Sequence, residues 1–151
     1  MGLFSGLNIA SSALSVQRLR MDVISNNIAN AETTRTPEGG AFQRSRVVLR
    51  PIVNQPYWRS PFLPPEMYNG TGRGVQAVRI EKDKSSPVLK YDPTHPDRIM
   101  SGPNKDYVEM PNVKVVDEMV DLISASRAYE ANVTLVESHK NAFMKALEIA
   151  R

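Results

Sequence analysis

The sequence predicts an α+β fold in which long N- and C-terminal helices form a coiled-coil-like pair around a small proline-rich β insert. Three observations predict it. All eleven prolines fall between Pro37 and Pro111, so residues 1–36 and 112–151 contain none. Proline removes a backbone donor and clashes with the preceding helical turn, so its absence at both ends and density in the centre separate helix from strand and loop. Apolar residues near both ends recur at alternating spacings of three and four, whereas the centre holds short runs rich in β-formers between turn residues. The expected boundaries are residues 1–31 for the first helix, 32–111 for the middle domain and 112–151 for the second helix.

The first helix is read from its stripe. Leu7, Ala10, Leu14, Gln17, Met21, Ile24 and Ile28 follow the three–four spacing, and six of these seven are apolar. Asn8, Ser12, Ser15, Arg18 and Asp22 lie on the far side. A run of this length is the seam of a coiled coil or a long bundle helix. Asn30, then Thr33-Thr34, Pro37 and Gly39-Gly40, stop it, which places the helix over about residues 6–30.

The insert carries three readable strands. Residues 41–50 alternate partially, 75–80 form a second strand and 88–91 a third. Between the first two, Pro51 to Pro65 holds five prolines together with Tyr57, Trp58, Phe62 and Leu63, a composition incompatible with a helix or a central strand. The expectation there is a packed loop.

The second helix repeats the pattern of the first. Met119, Leu122, Ser126, Tyr129, Val133, Val136, Lys140, Phe143 and Leu147 keep the spacing. Asp117, Glu118 and Asp121 open the segment and Lys140, Lys145 and Arg151 close it, signs that complement the helix macrodipole. The predicted span is about Val115 to Glu148. Ile9, Leu19 and Val23 on one helix, and Val116, Val120 and Ile123 on the other, widen the stripes beyond what a two-helix seam buries. That surplus points to self-association.

Chemistry is harder to find. The chain has no cysteine, which removes disulfides, thiol catalysis and cysteine metal sites. No apolar run approaches the roughly 18 residues of a membrane span, so direct membrane insertion is not expected. The start has neither a basic segment nor a long apolar core, so a cleaved signal peptide is not expected either. His95 lies in Asp92-Pro93-Thr94-His95-Pro96-Asp97, where Asp92, His95 and Asp97 in close spacing raise a metal or acid–base reading, but the two prolines impose an extended turn and favour a structural role for Asp92, Pro93, His95 and Pro96. His139 falls beside the helix seam. Gly70-Thr71-Gly72-Arg73-Gly74 lacks the spacing of a phosphate loop. No catalytic, cofactor or metal residue is assigned, no cofactor is expected, and neither is a small-molecule substrate.

Charge raises one alternative. Seven arginines and no lysine lie between Arg35 and Arg79, opposed there by Glu38 and Glu66. Arginines interleaved with aromatics can form a nucleic-acid or membrane-surface adaptor. A formal charge of +3 over 151 residues is weak for a dedicated nucleic-acid binder, so a nucleic-acid partner is not expected.

More telling are the amides. Ser25-Asn26-Asn27-Ile28-Ala29-Asn30-Ala31 puts Asn26, Asn27 and Asn30 in the last turns of the first helix, where asparagine is a poor helix former. The expectation is that they brace the following loop or bond a neighbouring chain. Arg127-Ala128-Tyr129-Glu130-Ala131-Asn132 similarly sets polar groups beside the second seam.

These residues carry a resemblance. Asn26, Asn27 and Asn30, followed by Thr33-Thr34-Arg35-Thr36, resemble the N-terminal motif of the flagellar rod, hook and hook-associated axial proteins. The Asp92–Pro96 turn, Tyr107-Val108, Pro111-Asn112-Val113, and the segment from Glu118 through Arg127, Tyr129, Asn132 and Val133 resemble the short proximal-rod members of that family. The likeness runs nearly end to end. It departs at residues 98–106, where Asp106 stands in place of the family's usual glycine before Tyr107.

The resemblance implies a non-catalytic subunit of the bacterial flagellar basal body. It implies export without a cleaved signal peptide through the flagellar type III apparatus and assembly into the periplasmic rod with other rod proteins and copies of itself. The helices would form the inner tube of the drive shaft, with the insert outside it and helix order coupled to assembly.

Overall fold

A computed structural model describes residues 3–53 and 72–149. Its elements are α1 (Leu3–Ala29), β1 (Ser45–Pro51), β2 (Val75–Lys82), β3 (Val88–Tyr91), β4 (Tyr107–Met110) and α2 (Val115–Ile149). Most of the predicted Pro51–Pro65 loop, with Tyr57 and Trp58, lies outside the described residues.

The two helices, about 40 and 52 Å long at 1.5 Å per residue, run antiparallel. Phe4 stacks near Phe143 with ring centroids 6.2 Å apart, while Asn27 meets Glu118 at the opposite end. Gly6 lets the His139 imidazole approach α1, since a Cβ there would lie 2.9 Å from the ring. On α2 the buried residues are Glu118 and Ala125, and Asn132 and His139 continue that line half-buried at intervals of seven.

α1 has two contact faces. One meets α2. The other carries Ser12, Val23 and Asn27 and lies under an antiparallel ribbon of β1 and β2. Part of the apolar surplus on α1 is therefore covered within the chain: Val23 is buried and Leu19 half-buried. At the far end of the ribbon the Ser12 hydroxyl accepts the Val75 N–H at 3.2 Å and donates to the Ile9 carbonyl at 2.7 Å. The neighbouring Gly74 has φ +120°, and a Cβ on it would collide with that hydroxyl.

Ribbon register pairs Ser45 with Lys82 and Pro51 with Val75, and Val78 is the extra residue of a bulge opposite Val48 and Leu49. A second two-stranded sheet pairs β3 with β4 from Val88↔Met110 to Tyr91↔Tyr107. Its buried anchor is Val108, and an edge-on contact between Tyr91 and Tyr107, centroids 5.3 Å apart, closes its end.

Candidate functional site

Three chain segments converge at the closed end of the helix pair. The last turns of α1 supply Asn27, the residues entering β1 supply Arg44 and Ser45, and the first turns of α2 supply Glu118 and Asp121. The Asn27 side chain pairs with the Ser45 peptide as a neighbouring strand would. Its Oδ1 accepts the Ser45 N–H at 2.9 Å, and its Nδ2 donates to the Ser45 carbonyl at 2.8 Å.

The second Asn27 amide hydrogen goes to Glu118 Oε2 at 2.9 Å. Glu118 Oε1 accepts the Arg44 Nε–H, and the same guanidinium reaches Asp121 at 3.3 Å. Arg20 of α1 adds a looser ion pair to Asp121 at 3.7 Å. Asn27 and Glu118 are each 1% exposed. Burying a carboxylate is costly unless its lone pairs are satisfied, and here both oxygens are.

Asn112 extends the cluster into the insert. Its Oδ1 accepts the Arg44 N–H at 2.8 Å, and its Nδ2 donates to the Asp83 carbonyl at 3.2 Å and the Ser85 hydroxyl at 2.8 Å. One side chain thus joins the entry to β1, the turn after β2 and the lead-in to α2.

Of the other amides, Asn30 donates to the Asn26 carbonyl and Oδ1, both at 3.0 Å, and accepts from the Thr33 hydroxyl at 3.2 Å. The Thr33 carbonyl in turn takes the Phe42 N–H at 3.0 Å, closing the loop after α1. The Thr34 hydroxyl donates to Asp97 at 2.8 Å, tying this loop to the Asp92–Asp97 turn.

In that turn Asp92 Oδ1 accepts the Thr94 hydroxyl at 2.7 Å and the Thr94 N–H at 3.1 Å, and these bonds hold its carboxyl below the ordinary value. His95 Nδ1 accepts the Asp97 N–H at 3.1 Å. Asp83 is likewise lowered by its Ser85 bonds, and Glu38 by its contact with Lys82.

The seam residues are spread over several environments. Ala10 and Ile24 are buried, and Leu14, Met21, Ile28, Leu122, Tyr129, Val133 and Val136 are half-buried. Leu7, Met119, Phe143 and Leu147 are exposed. Of the second amide-rich stretch, Asn132 bonds its own helix at the Ala128 carbonyl, 2.7 Å away, Tyr129 is half-buried and Arg127 is exposed.

The arginines do not form one bare face: Arg44 turns into the cluster, while Arg46 and Arg79 flank Glu81 at 4.0 and 3.6 Å. Among the described residues no helix is long and apolar enough to cross a membrane.

Sequence reasoning gave no role to Arg44, gave Asn112 a place in the motif without its bonds, and missed the burial of Glu118. Glu118 satisfied the helix-dipole pattern as well as an exposed residue would. The usable signal was its place seven residues before the small Ala125, on a line that continues through Asn132 and His139.

Two family models match the ends of the chain. Residues 7–35 match the flagella basal body rod protein model, and residues 105–149 match the flagellar basal body rod FlgEFG protein C-terminal model. The chain is 60% identical to the flagellar basal-body rod protein FlgC of Borreliella burgdorferi, over 99% of this chain and 98% of the relative. It is 42% identical to FlgC of Bacillus subtilis and 32% to FlgC of Salmonella typhimurium, each over the full length of both chains. A helix pair joined to a β insert through Asn27, in a chain of this similarity, belongs to the FlgC family of flagellar basal-body rod proteins.

Proposed function

We propose that this rod subunit is a structural, non-catalytic element that polymerises through its terminal helices into the hollow shaft carrying motor torque to the hook. Its partners are other rod proteins and copies of itself. It reaches the periplasmic space through the flagellar type III export apparatus without losing a signal peptide.

The observation that carries this reading is an apolar stripe on the side of α2 turned away from α1. Val116, Met119, Val120 and Ile123 fall at helical spacing and are 73, 52, 62 and 52% exposed. Arg127, Glu130, Thr134, Glu137 and Asn141 continue the same face in charged and polar residues. A contiguous apolar patch of this kind on a helix marks a protein–protein contact. Covering one such side chain stabilises by about 1.5–3 kcal/mol.

Circular dichroism of the purified subunit, alone and after mixing with the other rod proteins, tests it. The subunit alone should show less helix than α1 and α2 together contain, with helix gained on mixing. A subunit already fully helical and inert toward rod proteins contradicts it.

A further inference from the structure

Two unlike surfaces lie on opposite sides of this subunit. On one side α1, β1 and the first turns of α2 enclose an open cleft of about 370 Å³. Val23 and Ile24 of α1, both buried, lie at its base, with Val47 and the exposed Leu49 of β1 beside them. Arg20, Arg44 and Arg46, with the carboxylates of Glu118 and Asp121, surround that apolar base. An apolar centre inside a polar rim is the layout of a protein–protein contact.

The other surface is the apolar stripe of α2. Glu118 lines the cleft and Val120 belongs to the stripe, and two residues turn a helix of 3.6 residues per turn by about 200°. Cleft and stripe therefore face away from each other. Their charges match. Three arginines in the cleft meet two carboxylates, and Arg46 shares Glu81 with Arg79, so the rim is left basic. Asp117 is exposed, lies three residues before Val120 on the helix surface, and has no ion-pair partner among the described residues.

We propose that the cleft between α1, β1 and α2 receives the outward face of α2, Val116 to Ile123, from a second copy of this chain, with Asp117 meeting Arg46. This docking rests on assembly through α2 and specifies the contact. Because the two surfaces differ and face opposite ways, the contact is heterologous. Each subunit gives its stripe to one neighbour and takes a stripe from another, and such contacts propagate into rings or helical filaments. Stripe against stripe would instead close after two subunits and leave the cleft empty.

The chain has no cysteine, so an introduced pair reports one contact alone. A disulfide needs Cα atoms within about 7 Å of each other. In basal bodies from cells carrying full-length Leu49→Cys/Val120→Cys, oxidation should give a reductant-sensitive product of two or more copies, and neither single variant should give it. A dimer from Val120→Cys alone means stripe on stripe, and one from Leu49→Cys alone means cleft on cleft. Either overturns the docking, as do assembled rods of the double variant that stay uncross-linked. Charge reversal needs no cysteine: Asp117→Arg and Arg46→Asp should each abolish swimming, and the two together should restore it. Without that restoration, another segment or another protein fills the cleft and the docking is overturned. Native subunits that never join a rod would sink the assembly reading itself.

Discussion

The side chains of Asn27 and Glu118, 91 residues apart in the chain and both buried, share a hydrogen bond of 2.9 Å. Glu118→Ala removes the carboxylate that Asn27 and Arg44 both use, and removing one partner of a buried ion pair costs about 3–5 kcal/mol. Asn27→Ala takes the partner from the Ser45 N–H, the Ser45 carbonyl and Glu118 Oε2 and costs about 1–3 kcal/mol. Because both act on one network, the double variant should fall short of the sum by about 0.5–3 kcal/mol. Urea denaturation of the four proteins measures this, and strict additivity would show that the residues do not cooperate.

A second prediction concerns the opposite end of the ribbon. Gly74→Ala adds a Cβ that meets the Ser12 hydroxyl and forces an L-residue into φ +120°. The expected loss is about 1–3 kcal/mol. Ser12→Gly in the same chain removes the collision and keeps the backbone strain, so thermal unfolding should recover in part. Full recovery would mean that strain contributes nothing, and no recovery that the collision does not occur.

The left-handed Asp106, φ +66°, makes a third case. Its N–H donates to the Ile99 carbonyl at 3.0 Å, and its carbonyl accepts the Asp92 N–H at 3.2 Å, so the backbone there is pinned. A residue with a β-carbon is disfavoured in this conformation by about 1–2 kcal/mol, which glycine avoids. Asp106→Gly should therefore be neutral to stabilising, by up to about 1 kcal/mol, after the entropy glycine adds to the unfolded chain is set against that gain. Asp106→Val should destabilise. The two midpoints in urea decide it, and a destabilised glycine variant would mean that the carboxylate contact to Arg98 at 3.8 Å outweighs the strain.

For the Asp92–Asp97 turn the prediction is one of pH. The Thr94 hydroxyl and N–H hold the Asp92 carboxyl below its ordinary value. A carboxyl lowered on folding supports the turn fully above the unfolded value, near pH 4, and that support is lost as pH falls through the lowered folded value. Thr94→Val removes the hydroxyl and keeps the N–H, so the Asp92 titration followed by carbon-13 NMR should move up part of the way to the ordinary value. An unmoved titration would assign the shift elsewhere.

Local signals made the helices legible. The predicted spans of about 6–30 and 115–148 meet observed helices of Leu3–Ala29 and Val115–Ile149, because long periodic stripes bounded by proline and glycine leave little choice. Val88–Tyr91 was legible for the same reason. The first strand begins at Ser45 and not at 41, because Phe42 is drawn into the loop by the Thr33 carbonyl.

Strand β4 was missed. Tyr107–Met110 is four residues long and ends at a proline, and what makes it a strand is its partner β3. The polar cluster was invisible for a related reason. An aspartate or glutamate in a first helical turn satisfies the same dipole rule whether it faces water or Arg44, and the partners that decide the matter lie 74 and 91 residues away.

We propose that the outward stripe of α2 is an assembly surface. Val120→Asp tests it most directly, because Val120 is 62% exposed and its replacement should leave the packing of the subunit itself intact. The measurement is swimming motility and rod completion in cells carrying the variant, beside urea denaturation of the purified subunit. The expected result is a subunit of unchanged stability, made at normal levels, in cells that stall before a complete rod and do not swim. Normal swimming with Val120→Asp would contradict it.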